Sequence, residues 1–197
     1  MEMIRAFIAI PLPQSLLDAL AALQRQLDQQ VPRRSVRWTR AEGIHLTLKF
    51  LGDTPAEKLP AIEQALMEVA RHAPTGAFAA QGVGCFPNQR RPRVVWVGVQ
   101  EPTGWLEVLQ DAIEEVMESF GYAREKRGFT PHLTLGRVNR SASHSDAAQI
   151  GAVVAATEVD VLAHVPTDRL ALIRSLLKPT GAEYTVLKEF PLRGGAV

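Results

Sequence analysis

Apolar positions along the chain fall into two periods. Leu16, Leu20, Leu23 and Leu27 recur every three or four residues, the spacing of one helix face, so the pattern predicts a helix over residues 14–30. Leu59, Ile62, Leu66 and Val69 repeat it. Thr54, Pro55 and Glu57 ahead of them read as cap, first position and capping-box partner. Leu106, Leu109, Ile113, Val116 and Phe120 form a third stripe, with Thr103 placed to cap it and Gly121 to end it. Ser145 to Val154, rich in alanine, reads as a weaker fourth helix. Between these lie β-branched, apolar or alternating runs: Met3 to Ile10, Phe78 to Phe86 (interrupted by Gly82 and Gly84), Arg93 to Val99, Phe129 to Val138, Val159 to Val165, Arg169 to Leu177 and Tyr184 to Leu192. Val36 to Thr39 reads as a short strand or an extended lead-in, Ala41-Glu42-Gly43 as a turn, and Tyr122 to Gly128 as a charged loop or edge strand. Lys178-Pro179-Thr180-Gly181 reads as a turn and the last four residues as a frayed tail. Several strands follow one another directly, so the class is α+β with a sheet at least partly antiparallel.

One alternating stretch occurs twice. His45-Leu46-Thr47-Leu48 is repeated letter for letter as His132-Leu133-Thr134-Leu135, 87 residues later. Side chains two apart on a strand share a face. Each copy therefore sets an imidazole and a hydroxyl on one face, with leucines anchoring the other. Two such faces looking at one another across a cleft is the arrangement the repeat suggests. Little else is shared between the halves, so the repeat is weak evidence of an internal duplication.

Composition narrows the setting. The 197 residues, 46% hydrophobic, suffice for one domain or two small lobes. A net charge of +1 is not that of a protein coating nucleic acid, so any RNA should be recognised locally, at an end. The lone cysteine, Cys85, permits no intramolecular disulfide and reads as a small core residue. No apolar run approaches the roughly 20 residues of a membrane helix, and the N-terminal run has no signal-peptide pattern. A soluble, cytoplasmic monomer without membrane contact is the expectation.

Two facing histidines suit general acid–base catalysis. Their unperturbed pKa near 6.5 lets one be neutral and the other protonated at neutral pH. One would take a proton from water while the other gives one to a leaving oxygen. The threonine hydroxyls lie about 6–7 Å along the strand from the histidines, near enough to touch the same phosphate. Lys49 and Arg137 would add positive charge as negative charge develops on phosphorus. A single His-x-Thr on a strand is most often structural, the threonine being there for its β-propensity. The exact repeat on matching parity reverses that weighting. Zinc spacings such as His-x₃-His or Cys-x₂-Cys are absent and no third ligand is evident, so no metal or other cofactor is expected. His72, His144 and His164 read as surface residues. Arg90, Arg91 and Arg93 read first as a solvated loop; beside a phosphate site they would also raise the local anion concentration.

At its two His-x-Thr-x motifs the chain resembles the 2H phosphoesterase superfamily. Arg5 to Ile10, His45 to Gly52, Phe129 to Arg137 and Ser175 to Tyr184 narrow this to the bacterial and archaeal RNA 2′,3′-cyclic phosphodiesterases, also called 2′-5′ RNA ligases. The resemblance covers nearly the whole chain. It implies a single domain over residues 1–197, built of two pseudo-symmetric lobes, each an antiparallel sheet with helices outside, and a groove between them. It implies hydrolysis of RNA 3′ ends or small nucleotides carrying a 2′,3′-cyclic phosphate to 2′-phosphomonoesters. By that resemblance His45 is the proton donor and His132 the acceptor, Thr47 and Thr134 hold the phosphate, and Arg137 contacts phosphate or base. Phe7 would stack on a base, or else serve as core. Two other functions stay open at this point: ligation forming a 2′-5′ linkage, and a nucleotide- or RNA-binding module without turnover.

Overall fold

A computed structural model of the chain describes residues 2–178 and 181–194. The expected turn through Pro179 and Thr180 and the tail from Gly195 lie outside the described residues. In chain order the elements are β1 (Met3–Ile10), α1 (Gln14–Asp28), β2 (Val36–Trp38), β3 (Leu46–Pro55), α2 (Leu59–His72), β4 (Gly76–Phe86), β5 (Val94–Gln100), α3 (Trp105–Ser119), β6 (His132–Val138), α4 (His144–Ala156), β7 (Ala163–Thr167), β8 (Arg169–Lys178) and β9 (Gly181–Pro191). No helix among them is long and apolar enough to cross a membrane.

The strands make one curled sheet in the order β7-β4-β5-β6-β3-β1-β8-β9, with β2 on β6, and every named pair is antiparallel. From the centre outward it reads the same way twice: β3-β1-β8-β9 on one side, β6-β5-β4-β7 on the other. These are the two pseudo-symmetric lobes, with a motif strand innermost in each. The lobes join at one register pair, Leu46 with Leu133. Further along β6 the same edge is taken by β2, through Gly136 to Val138.

Helices pack against the sheet. α2 packs on β8 and β9, α3 on β3, and α4 on β4. α1 buries Leu16, Leu20, Leu23 and Leu27, the predicted stripe. Its buried Gln24 donates to the carbonyls of Thr39 (2.7 Å) and Leu135 (2.8 Å), tying the helix to the second motif strand. These faces share one large core; Phe7, Ala9, Ala171 and Ile173 form a small second cluster.

One predicted cap is corrected and another is shared. β3 stays paired with β1 as far as Pro55, so Thr54 is a fully buried strand residue whose hydroxyl accepts from Tyr122. A 3₁₀ turn over Ala56–Lys58 intervenes before α2. At α3 the Thr103 hydroxyl accepts from the Trp105 amide (3.3 Å), and the Glu101 carboxylate joins it, accepting from the amides of Thr103 (2.8 Å) and Leu106 (3.1 Å). The weak fourth helix instead has a full capping box, Ser143 with Asp146. Residues 159–162 precede β7 without belonging to it, yet Val159 and Leu162 bond to the β4 backbone. Gly84 in β4 has a packing reason: a Cβ there would come within 2.4 Å of the Trp96 ring, which lies across it.

Candidate active site

In both motifs the leucines are buried and the His and Thr side chains are half-buried on the opposite face. Counting one step either side of Leu46–Leu133 brings Thr47 level with His132 and His45 level with Thr134. The four polar residues thus surround the central pair on the face opposite the buried leucines. The histidines are near enough that charge on His132 lowers the pKa of His45. Thr47 and His132 line a cavity of about 1190 Å³ that runs on toward α3 and the 123–130 loop.

The two imidazoles are held alike. His45 Nδ1–H donates to the carbonyl of Gly43 and His132 Nδ1–H to that of Thr130, each at 2.8 Å and each two residues upstream. That bond places the neutral ring's proton on Nδ1 and leaves Nε2 with a free lone pair. Aromatic rings wall each one. Phe7 stacks on His45 with centroids 4.4 Å apart, and Tyr184 of β9 meets His45 edge-on at 5.1 Å. Phe86 meets His132 edge-on at 4.8 Å and in turn packs on Trp96.

Burial drives both imidazoles toward the neutral form. It lowers His45 to about 4, against the opposing Gly43 bond and helped by His132. It also lowers His132, opposed by Thr130 and helped by Arg137. Wrapping the rings in apolar neighbours disfavours the charged form of both. A bound phosphate would supply the negative charge that restores a proton.

Arg137 is exposed on β6 and paired in register with Arg37 of β2. Both guanidiniums act on Tyr184, lowering its pKa against the larger effect of burial. Neither has an acidic partner among the described residues. Phe7 reaches the site as the ring beneath His45. At 2% exposure it fits the core reading and has no free face for a base. Lys49 is a correction. The register of β3 on β1 slips at Leu48, and Lys49 turns into an ion pair with Glu114, the side chains 5% and 4% exposed, while donating to the Ala123 carbonyl. Glu114 also accepts from the amide of Glu125, so the pair pins the start of the 123–130 loop. His72, His144 and His164 are exposed, as expected. Among the described residues no three His, Cys, Asp or Glu side chains gather as metal ligands.

Arg37, Tyr184, Phe86 and Trp96 were not singled out by the sequence as parts of the site. Alternation in Val36-Arg37-Trp38 marks Arg37 as the outward residue of a strand, but nothing local names its neighbour. Tyr184 lies 139 residues from His45, and only the fold brings them together.

Similarity to known proteins points the same way. Residues 10–96 match the family model described as LigT-like phosphoesterase. The RNA 2′,3′-cyclic phosphodiesterase of Methanothermobacter thermautotrophicus is 32% identical over 96% of this chain and 99% of its own. The crystal structure of TT0787 of Thermus thermophilus superposes with a TM-score of 0.77 at 30% identity, covering 98% of this chain and 100% of that one. Escherichia coli LigT complexed with 3′-AMP gives 0.76 at 25% identity, covering 97% and 99%. With its paired His-x-Thr motifs set about one groove, the chain belongs to the LigT-like phosphoesterases of the 2H superfamily.

Proposed function

We propose that the protein hydrolyses 2′,3′-cyclic phosphate ends of RNA or nucleotides to 2′-phosphomonoesters, by two-histidine acid–base catalysis without a metal. The observation that carries this is the joining of the two motifs at Leu46–Leu133, a register that brings the two His–Thr pairs next to one another. His132 Nε2 takes a proton from water as the water oxygen bonds to phosphorus. The bond from phosphorus to the ribose 3′ oxygen breaks, and His45 Nε2–H protonates that oxygen. Thr47 and Thr134 donate to the non-bridging oxygens, and Arg137 faces the developing negative charge. Each positioned proton transfer is worth about 10²–10⁴ in rate.

The acid role requires His45 to be protonated in the complex. In the free protein His45 is the more desolvated ring, so bound phosphate must raise it. The donor and acceptor roles themselves follow the family resemblance. The RNA 2′,3′-cyclic phosphodiesterase relatives and the 3′-AMP complex of E. coli LigT support the substrate class. The test is to incubate an oligoribonucleotide ending in a 2′,3′-cyclic phosphate with the protein and excess chelator, and to identify the product. A 2′-phosphate is expected. A 3′-phosphate, or dependence on metal, overturns the mechanism; binding without turnover overturns the enzyme reading.

A further inference from the structure

Resting on that reading of the site, we propose that the cavity beyond the histidines is a binding arm for single-stranded RNA, taking the nucleotides that precede the cyclic phosphate. The cavity, about 1190 Å³, exceeds the roughly 300–1,000 Å³ of ordinary small-ligand pockets. One nucleotide at the histidines leaves much of it unfilled. A cyclic phosphate can only be the 3′ end of a chain, so whatever else occupies the groove continues from the 5′ side.

Its charge fits a polyanion. Of the ionic groups lining it, Lys49, Arg124 and Arg127 are matched by Glu114, Asp111 and Glu125. That leaves Arg91, Arg93 and Lys126 without acidic partners among the described residues, against Glu107. The loop carrying Arg91 is already fixed in place. Asn88 Oδ1 accepts from the amides of Arg90 (3.0 Å) and Arg91 (3.1 Å), and the Arg93 amide donates to the Phe86 carbonyl (2.7 Å). Gly151 of α4 lies so close behind that a Cβ would come within 1.8 Å of the Gln89 carbonyl. The backbone that carries these cations is held in place, so meeting phosphates costs side-chain freedom without ordering the loop. Phe50, 65% exposed, lines the same cavity and offers a ring face for a base. Free cations beside aromatic rings are what sequence-tolerant single-strand binding uses.

The test compares a five-nucleotide RNA ending in a 2′,3′-cyclic phosphate with the corresponding nucleoside 2′,3′-cyclic phosphate, in wild type and in the double variant Arg91→Gln/Arg93→Gln. Wild type should prefer the longer substrate in kcat/KM by about tenfold or more, and the variant's ratio should fall toward one. Two lost phosphate contacts should reduce the slope of log affinity against log salt by about 1.4 for a single strand. Raising salt from 50 to 200 mM should then cost wild type about sevenfold more affinity than the variant. Affinity is read by fluorescence anisotropy on the same RNA ending in a 2′-phosphate, which needs no turnover. Salt-dependent binding through these arginines in the absence of hydrolysis would sink the catalytic reading and leave the arm standing. Equal kcat/KM for the two substrates in wild type, or a salt slope unchanged in the variant, overturns the arm.

Discussion

Leu46 of β3 and Leu133 of β6 are register partners, and each is the second residue of a His-Leu-Thr-Leu motif. Both are fully buried. The pseudo-symmetry of the fold therefore passes between the two motifs themselves, and the groove opens where the strands part. Leu133→Ala should cost about 2–5 kcal/mol of stability, as for other buried leucines. It should also lower kcat/KM at temperatures where the variant is still folded, because the His–Thr pairs lose their common anchor. Chemical denaturation and steady-state assays read the two effects. A loss of stability with unchanged kcat/KM would separate the join from the site.

His45 should titrate near pH 4 in the free protein. Its folded pKa lies below the value of about 6.5 expected for the unfolded chain. The unfolded state thus binds more protons between those values. The contribution of neutral His45 to stability is complete above pH 6.5 and is lost as the pH falls toward 4. A nucleoside 2′-phosphate in the groove should move the midpoint upward and draw a proton from solution. NMR of the imidazole resonances measures both midpoints. A free-state value at or above 6.5, or no upward shift on binding, contradicts this account of the site.

Tyr184 should be one cause of that depression, since it closes the edge of the His45 ring at 5.1 Å. Tyr184→Ala admits water there and should raise the free-state midpoint of His45. The same titration, run on the variant, checks it; an unchanged midpoint assigns the desolvation to Phe7 and the sheet alone.

Lys49→Met strands Glu114 in the interior. Breaking a buried pair from one side costs about 3–5 kcal/mol, whereas replacing both partners by apolar groups is often close to neutral. Lys49→Met/Glu114→Leu should therefore unfold at higher denaturant than Lys49→Met. If the double variant is the less stable of the two, the pair is not what anchors residues 123–125.

The helices, the strands and the duplicated motif were legible because each rests on a local period. Leu16 to Leu27 have one face to bury, and the His-Leu-Thr-Leu copies alternate wherever they sit. Lys49 was misread because a register slip at Leu48 breaks the alternation, and a slip depends on the partner strand. Thr54 was misread because pairing with β1 overrode its local capping signal. Tyr184 and Arg37 became part of the site through strand order alone, which no local pattern encodes.

The most direct test of the central claim, that the two motifs are halves of one acid–base site, is the hydrolysis rate of a 2′,3′-cyclic phosphate by His45→Ala, His132→Ala and the double variant. Each single variant should lose about 10²–10⁴ in rate with its fold intact. The double variant should lose far less than the product of the two, since groups acting as a unit are non-additive. Either single variant within about tenfold of wild type, or losses that multiply, would contradict the claim.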